Sequence, residues 1–320
     1  MGLTLKIVIT GGTGFLGSWA ARVLAENHNV TVIVRPDSNA YRLAGIRGLR
    51  TIKSQPKDWA RAINLLQVDA LLMFDWEGVA NEARNDSIQF SNVKRIQNFV
   101  KELDSIALVM ATGSQAELGP VNSLIWENQI DSPTTAYGRA KVLTRKILEE
   151  ELAKRETKFI WARVFSTYGP LDAPSWLIPD LLKTVSLGRK FETTAGEQIW
   201  SYLHAFDFAN AVGKVIQTNS LSGIVNFGNP QTIRLRDVIR EAATIAGNAE
   251  LIAWDSKEYR EDQVMRLEPS CERLQSIGWS PQVNMSAGLI HLFEWLILKR
   301  NTELRLIDGT SVSFDLPPAA

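Results

Sequence analysis

Cysteine and histidine are scarce in this sequence. Its 320 residues include one cysteine, Cys271, and three histidines, at positions 28, 204 and 291. A single thiol cannot form an internal disulfide, and these four residues do not cluster at the spacing of a zinc site. The composition therefore argues against a disulfide-stabilised domain and against a metal centre. We expect the chemistry to depend on an organic cofactor or on side chains alone.

An excess of one charge and long apolar runs are also missing. The chain has 35 basic and 35 acidic residues and no polybasic block, which argues against nucleic acid or an anionic membrane as partner. No apolar run reaches the length of about 18 residues that suggests a membrane helix. The opening residues MGLTLKIVIT lack the layout of a signal peptide. We expect a cytoplasmic protein with a small-molecule ligand.

Short apolar runs alternate with helical patterns through the first half of the chain. The runs, which are typical of strands buried on both faces of a parallel sheet, cover residues 5–9, 30–34, 70–74, 106–110 and 159–164. This alternation predicts an α/β fold, a Rossmann-type doubly wound parallel sheet. We assign residues 1–169 and about 207–228 to an NAD(P)-binding domain. Residues 170–206 and 229–320 then form a smaller C-terminal α/β region that binds substrate.

A glycine-rich segment follows the first predicted strand directly and leads into an amphipathic helix. In TGGTGFLG, Gly11 can make the tight turn, Gly14 lets the backbone approach a pyrophosphate, and Gly17 permits close packing of the helix. The helix N-terminus adds free N–H groups and a partial positive charge. The predicted cofactor contacts in this loop are Gly11, Thr13, Gly14, Phe15, Leu16 and Gly17.

The end of the second predicted strand should meet the adenosine ribose of the cofactor. An acidic residue there suits the 2′-hydroxyl of NAD, whereas an arginine suits the 2′-phosphate of NADP. This sequence has Arg35 at that point, with Ser38 as a further cofactor contact. Asp37 could still take the acidic role if the strand ends later. We therefore favour NADP(H) and keep NAD(H) as the alternative.

Tyr137 and Lys141 are one helical turn apart in the segment TTAYGRAK. Such a pair lies on one helix face, roughly 5–6 Å apart at Cβ. A phenol with a pKa of about 10 exchanges protons poorly at neutral pH unless a nearby cation lowers that pKa. Lys141 would supply the cation and reach the cofactor ribose. Ser114, or less favourably Thr112, follows the strand at 106–110 and would polarise a substrate carbonyl.

Several motifs together resemble the extended short-chain dehydrogenase/reductases, also called the NAD-dependent epimerase/dehydratase family, whose members act mostly on nucleotide sugars. TGGTGFLG, the run from Ser114 to Gly119, Y-x-x-x-K and the YGP of RVFSTYGP occur in family order, and IGWSPQVNMSAGL is similar to its closing segment. The resemblance covers nearly the whole chain. It implies that Ser114, Tyr137 and Lys141 are catalytic, that Asn92 supports the cofactor site, and that the protein forms a homodimer.

The loop at Ser114 separates the chemistries of this family. Sugar 4,6-dehydratases carry carboxylates where this chain has Gln115 and Ala116, so a dehydratase is not expected, and Glu117 is expected to be only a loop carboxylate. GSQAELG resembles nucleotide-sugar 4-ketoreductases most. We therefore expect NADP(H)-dependent reduction of a nucleotide-diphospho-4-keto-6-deoxy sugar. The alternatives are a nucleotide-sugar 4-epimerase with tightly bound NAD and a non-catalytic dinucleotide sensor.

Four residues are candidates for substrate binding. Arg260 lies in EYRED, which resembles a segment that binds the nucleotide diphosphate, and Ser166 stands where the family has an asparagine. Trp76 and Trp200 fall in pocket-forming segments and could stack on a base or sugar. His204 matches a family histidine, but we expect it to be structural.

Overall fold

The computed structural model describes residues 3–260, 263–301 and 303–319. Along these residues the strands are β1 (Lys6–Thr10), β2 (Asn29–Val34), β3 (Arg50–Lys53), β4 (Ala70–Met73), β5 (Leu108–Ser114), β6 (Lys158–Val164), β7 (Ser166–Tyr168), β8 (Phe191–Glu192), β9 (Ile199–His204), β10 (Gly223–Phe227), β11 (Thr232–Arg234), β12 (Ile252–Ala253), β13 (Arg266–Leu267), β14 (Glu303–Arg305) and β15 (Ser311–Ser313). The α-helices are α1 (Phe15–Leu24), α2 (Trp59–Leu66), α3 (Ile88–Lys101), α4 (Ala136–Ala153), α5 (Leu177–Ser186), α6 (Ala205–Thr218), α7 (Leu235–Ile245), α8 (Glu272–Ser276) and α9 (Met285–Leu296).

A parallel sheet of seven strands forms the centre of the described chain, in the order β10-β6-β5-β4-β1-β2-β3. Successive side chains of β1 enter opposite cores. Ile7 and Ile9 pack in the core that also holds α1 and α6, whereas Val8 packs with α2, α3 and α4. Helices therefore cover both faces, and the prediction of a Rossmann-type doubly wound fold is confirmed. The strand order reverses between β1 and β4, the position at which such folds bind ligands.

The predicted strands coincide with the observed ones to within a few residues. The largest difference is at β5, which ends at Ser114 rather than at Met110. Pairing with β6 continues through Ser114 and Val164, so the sheet itself carries Ser114 to its carboxyl edge. This placement makes Ser114 more rigid than a loop residue.

A second, smaller region is built from the later part of the chain. Strands β11, β9 and β13 form a separate sheet, and β7 pairs with β9 although it precedes residue 169. Strand β10 belongs to the large sheet, in line with the assignment of about 207–228 to the first domain. The exact domain boundaries stay a prediction. None of the described helices has the length and apolar character needed to cross a membrane.

Candidate functional site

The glycine loop between β1 and α1 has the geometry of a phosphate cradle. Gly11 has a φ of 71°, and a Cβ on Gly17 would lie 2.3 Å from the Gly11 carbonyl oxygen. Helix α1 begins after Gly14 with neither a side-chain cap nor an acidic residue in its first turn. The N–H groups of that turn are therefore available to an anion, while Thr13, Gly14, Phe15 and Leu16 are all partly or fully exposed. These features fit a dinucleotide pyrophosphate.

Ser114 and Tyr137 are brought together by a close approach of two backbone segments. A Cβ on Gly138 would lie 2.2 Å from the Ala116 carbonyl oxygen, so this glycine lets the start of α4 pack against the turn after Ser114. The Ser114 hydroxyl accepts the Ala116 N–H at 3.2 Å, which leaves its own proton available. A hydrogen bond from Ser114 to the phenol lowers the pKa of Tyr137, although burial has the larger effect and raises it.

Lys141 is almost completely buried beside these two residues. Its ammonium donates to the Thr112 carbonyl oxygen at 2.8 Å and lies 3.8 Å from the ring centroid of Trp76. Burial lowers the pKa of Lys141 to about 7, while the carboxylates of Glu117 and Asp75 act in the opposite direction. The Trp76 ring in turn meets that of Tyr137 edge-on, with centroids 6.0 Å apart. Trp76, a predicted substrate residue, therefore contacts the Tyr137 and Lys141 pair directly.

The cation that lowers the pKa of the Tyr137 phenol is Arg84 rather than Lys141. The Arg84 guanidinium lies 5.9 Å from the Tyr137 ring centroid and lowers the pKa of the phenol, against the larger effect of burial. The Arg84 carbonyl oxygen also accepts the Tyr137 N–H at 2.8 Å. No motif in the sequence points to Arg84, because it is more than fifty positions before Tyr137 and belongs to an irregular loop.

Glu117 is more than the loop carboxylate that the sequence suggested, because it is the centre of a buried cluster. It has no exposed surface and accepts the Ser114 N–H at 2.6 Å. It also accepts the Trp161 indole N–H at 2.9 Å and pairs with Arg163 at 3.4 Å. A Cβ on Gly113 would lie only 2.2 Å from the Trp161 Nε1, so this glycine makes room for the cluster. Glu117 thus fixes the main chain of Ser114 from the buried interior of the protein.

Asp75 occupies the position where the strand order reverses. Its carboxylate accepts the Thr10 hydroxyl and forms an ion pair with Arg95 of α3. Asp75 was not singled out in the sequence analysis. The structure shows a charge that links β1, α3 and the surroundings of Lys141.

Asn92 uses its amide on the main chain of the loop after β4. Its Oδ1 accepts the Glu77 N–H at 3.1 Å, and its Nδ2 donates to the Glu77 carbonyl oxygen at 2.9 Å. The side chain is 2 % exposed. Asn92 therefore positions the loop beside the cofactor groove, and a direct cofactor contact stays a prediction.

Arg35 and Ser38 lie together at the end of β2. The Arg35 Nε is 3.4 Å from the Ser38 hydroxyl, and the guanidinium forms ion pairs with Glu77 and, at 3.8 Å, with Asp37. Arg35 is therefore already neutralised by carboxylates, which weakens the sequence argument for a 2′-phosphate. Arg42, which the sequence did not indicate, donates to the Leu171 carbonyl oxygen at 2.8 Å and to that of Thr13 at 3.4 Å.

The remaining predicted substrate residues belong to the second region or its border. Ser166 is partly exposed on β7, and the Trp200 indole on β9 donates to the Val264 carbonyl oxygen at 3.2 Å. Arg260 is exposed in the segment between β12 and β13. The roles of these three residues in substrate binding stay predictions.

His204 and His291 form a buried pair away from this site. Each is 1 % exposed, and the His204 Nε2 lies 3.4 Å from the His291 Nδ1. His204 also caps α6, because its Nδ1 accepts the Phe206 N–H at 3.2 Å. This placement agrees with the structural role expected for His204.

A family model and several known proteins match most of the chain. Residues 7–228 match the family model described as NAD dependent epimerase/dehydratase family. The chain is 22% identical over 322 residues to the UDP-glucose 4-epimerase of Halalkalibacterium halodurans, covering 91% of this chain and 95% of the relative.

Two solved structures share the fold. One is the UDP-N-acetylglucosamine 4-epimerase of Methanobrevibacter ruminantium in complex with UDP-N-acetylmuramic acid, with a TM-score of 0.78, 17% identity and coverage of 93% of this chain and 99% of the other. The other is the dTDP-glucose 4,6-dehydratase of Streptomyces venezuelae with NAD bound, with a TM-score of 0.79, 19% identity and coverage of 91% and 96%. The predicted membership and the prediction of an enzyme are confirmed, since the chain belongs to the NAD-dependent epimerase/dehydratase family of extended short-chain dehydrogenase/reductases.

Proposed function

We propose that the protein is a nucleotide-sugar 4-epimerase that retains NAD. The observation that carries this proposal is the grouping of Ser114, Tyr137 and Lys141 at the carboxyl edge of the sheet, with Gln115 and Ala116 where a dehydratase needs carboxylates. Relatives that are named as UDP-glucose 4-epimerases support the epimerase over the reductase. Epimerisation was the alternative in the sequence analysis, and it now replaces the ketoreductase as the preferred function.

In this proposal NAD, when bound, supplies the acceptor and donor for the hydrogen at C4 of the sugar. The glycine loop and the first turn of α1 would hold its pyrophosphate. Tyr137 would take the proton of the sugar 4-hydroxyl and later return it to the oxygen of the epimer. Ser114 would donate a hydrogen bond to that oxygen, and Arg84 would balance the charge of the phenolate together with Lys141.

The test uses UDP-glucose and UDP-galactose without added cofactor. We expect purified protein to interconvert the two sugars, and we expect the Tyr137→Phe variant to lose at least about a hundredfold in rate because the proton carrier is gone. Binding of NAD by that variant, measured by calorimetry, should stay within a small factor of the wild type. Near-normal turnover by Tyr137→Phe would contradict the assigned role.

Reduction of a nucleotide 4-keto sugar with NADPH is the second candidate. It is favoured by the resemblance of GSQAELG to ketoreductases and, less strongly because the side chain is paired with Glu77, by Arg35 at the end of β2. Consumption of added NADPH in the presence of a 4-keto-6-deoxy sugar, with no interconversion of UDP-hexoses, would select the reductase.

The homodimer also stays a prediction. Two apolar side chains, Phe90 on α3 and Leu143 on α4, are 47% and 43% exposed and would be covered in such a dimer.

A further inference from the structure

Arg35 and Glu77 form an ion pair beyond the carboxyl ends of β2 and β4, where doubly wound folds have their ligand-binding groove. Arg35 follows the last residue of β2, and Glu77 lies in the loop after β4, 42 positions further along the chain. Their side chains are 39% and 45% exposed. Asp37 adds a second carboxylate, 3.8 Å from the Arg35 Nε.

The carboxylate of Glu77 extends from a fixed main chain. Both its N–H and its carbonyl oxygen are held by the Asn92 amide, at 3.1 and 2.9 Å. The Asn92 amide in turn donates to the Ile88 carbonyl oxygen at 3.1 Å and accepts from the Arg95 guanidinium at 3.2 Å. Asn92 therefore anchors the main chain of Glu77 to α3, which fixes the position from which the Glu77 carboxylate extends.

The charges at this end of the groove do not suit a phosphate. One guanidinium and the two carboxylates of Asp37 and Glu77 sum to a net charge of −1, from +1 and −2. A phosphate monoester brings a further charge of about −1.5 to −2 at neutral pH. A ribose 2′-hydroxyl, by contrast, can donate to a carboxylate, which is the usual recognition of NAD in dinucleotide folds.

We infer that Glu77 is a cofactor-specificity residue: it engages Arg35, presents a carboxylate beside the adenosine ribose, and so selects NAD over NADP. The inference depends on the proposed function only in assuming that the groove takes a dinucleotide. It explains why an arginine at the end of β2 does not imply NADP in this chain.

The experiment is an equilibrium titration of the full-length protein, stripped of bound dinucleotide, with NAD and with NADP, followed by calorimetry. We expect the wild type to prefer NAD. Glu77→Gln should raise the affinity for NADP about tenfold, the effect of a close charge pair, and change that for NAD by no more than about threefold. Glu82→Gln, an exposed glutamate in the same loop, is the matched control and should leave the affinity ratio unchanged.

A gain in NADP affinity in Glu77→Gln could come from release of Arg35 or from the loss of one negative charge. Repeating the substitution in an Arg35→Met background distinguishes the two causes. In that background, Glu77→Gln should improve NADP affinity by no more than about threefold, because the arginine that it releases is absent. Melting temperatures of all variants show whether they fold. A wild type that prefers NADP, an unchanged affinity ratio in Glu77→Gln, or no dinucleotide binding at all would overturn the inference. The predicted ratios without epimerisation of any UDP-hexose would refute the proposed function and leave this inference standing.

Discussion

At the scale of single residues, the candidate site depends on charges that are shielded from water. Lys141 is 2 % exposed, and its charge is stabilised by an indole face, a carbonyl oxygen and the nearby carboxylates of Glu117 and Asp75. The spacing of Tyr137 and Lys141 is visible in the sequence. Their burial is not, because it depends on Trp76 of the loop after β4 and on Trp161 of β6.

Replacement of Glu117 tests the buried cluster behind Ser114. We expect Glu117→Gln to lower the free energy of unfolding by about 3 kcal/mol, because the fully buried Arg163 loses its nearer carboxylate partner, at 3.4 Å, and keeps Asp131 at 3.8 Å. The rate of epimerisation should also fall, since the Ser114 N–H loses a charged acceptor. Chemical denaturation and steady-state kinetics measure the two effects.

Glu149→Gln provides the control for this change. Glu149 pairs with Arg145 at 3.0 Å, but its side chain is 40% exposed. We expect this variant to lose less than about 1 kcal/mol, as surface ion pairs do. An equal loss of unfolding free energy in Glu117→Gln and Glu149→Gln would show that the buried Glu117 cluster does not stabilise the fold more than a surface ion pair.

At the scale of elements, the site depends on how closely α1 packs against the glycine loop. Gly17 of α1 and Gly213 of α6 are both buried helical glycines, and the two helices cover the same face of the sheet. A Cβ on Gly17 would meet the Gly11 carbonyl oxygen at 2.3 Å, whereas one on Gly213 would meet only the Leu24 Cδ2 at 3.5 Å. The first contact is with rigid backbone, and the second is an ordinary packing distance.

Alanine at these two glycines should therefore have opposite effects. We expect Gly17→Ala to cost about 1–3 kcal/mol of stability through overpacking and to weaken NAD binding, because the first turn of α1 is displaced. Gly213→Ala should raise the free energy of unfolding by about 0.5–1 kcal/mol, the usual gain over glycine inside a helix. Thermal unfolding and NAD titration of both variants measure this. Destabilisation by Gly213→Ala to the same extent would show that helix packing, rather than the loop, limits both positions.

The elements could be predicted from the sequence where local pattern decides them. The first strand, the glycine loop and α1 follow from apolar runs and glycine spacing within residues 5–24, and the order of motifs was sufficient to identify the family. The environment of Glu117 could not be predicted, because its partner Arg163 is 46 positions away and arrives through sheet pairing. The same applies to Arg35, whose ion pair with Glu77 weakens the sequence argument for a 2′-phosphate.

At the scale of the whole molecule, the two regions meet around Trp19 of α1. Its ring contacts those of His204, His291 and Phe314, so residues from β9, α9 and the C-terminal segment pack against the helix that follows the glycine loop. His204 donates from Nε2 to the His291 Nδ1, since its own Nδ1 accepts the Phe206 N–H. The His291 Nε2 has no hydrogen-bond partner among the described residues. The pair fits only in its neutral form.

This pair should make the fold sensitive to mild acid. Burial lowers the pKa of His291 to about 3 and places that of His204 well below its usual value. An unfolded histidine binds its proton near pH 6.5, at about its ordinary pKa. The unfolded chain therefore holds more protons as pH falls below about 6.5, and the free energy of unfolding decreases there.

Denaturation at several pH values measures the effect. Between about pH 6 and 4, the free energy of unfolding should fall more steeply in the wild type than in His291→Gln, by about 1.4 kcal/mol per pH unit for one proton. Comparing the two proteins cancels the contributions of other buried groups, such as Asp207. Parallel pH dependences would show that His291 does not take up a proton on unfolding.

The central claim, reversible oxidation at C4 of a nucleotide sugar by retained NAD, is tested most directly with UDP-glucose carrying deuterium at C4. The protein is incubated with this sugar without added dinucleotide, and the UDP-hexoses are separated and analysed by mass spectrometry. The account predicts UDP-galactose that keeps the deuterium at C4, because the hydrogen that leaves the sugar returns to it. The absence of interconversion, or a product that has lost its label, would contradict the account.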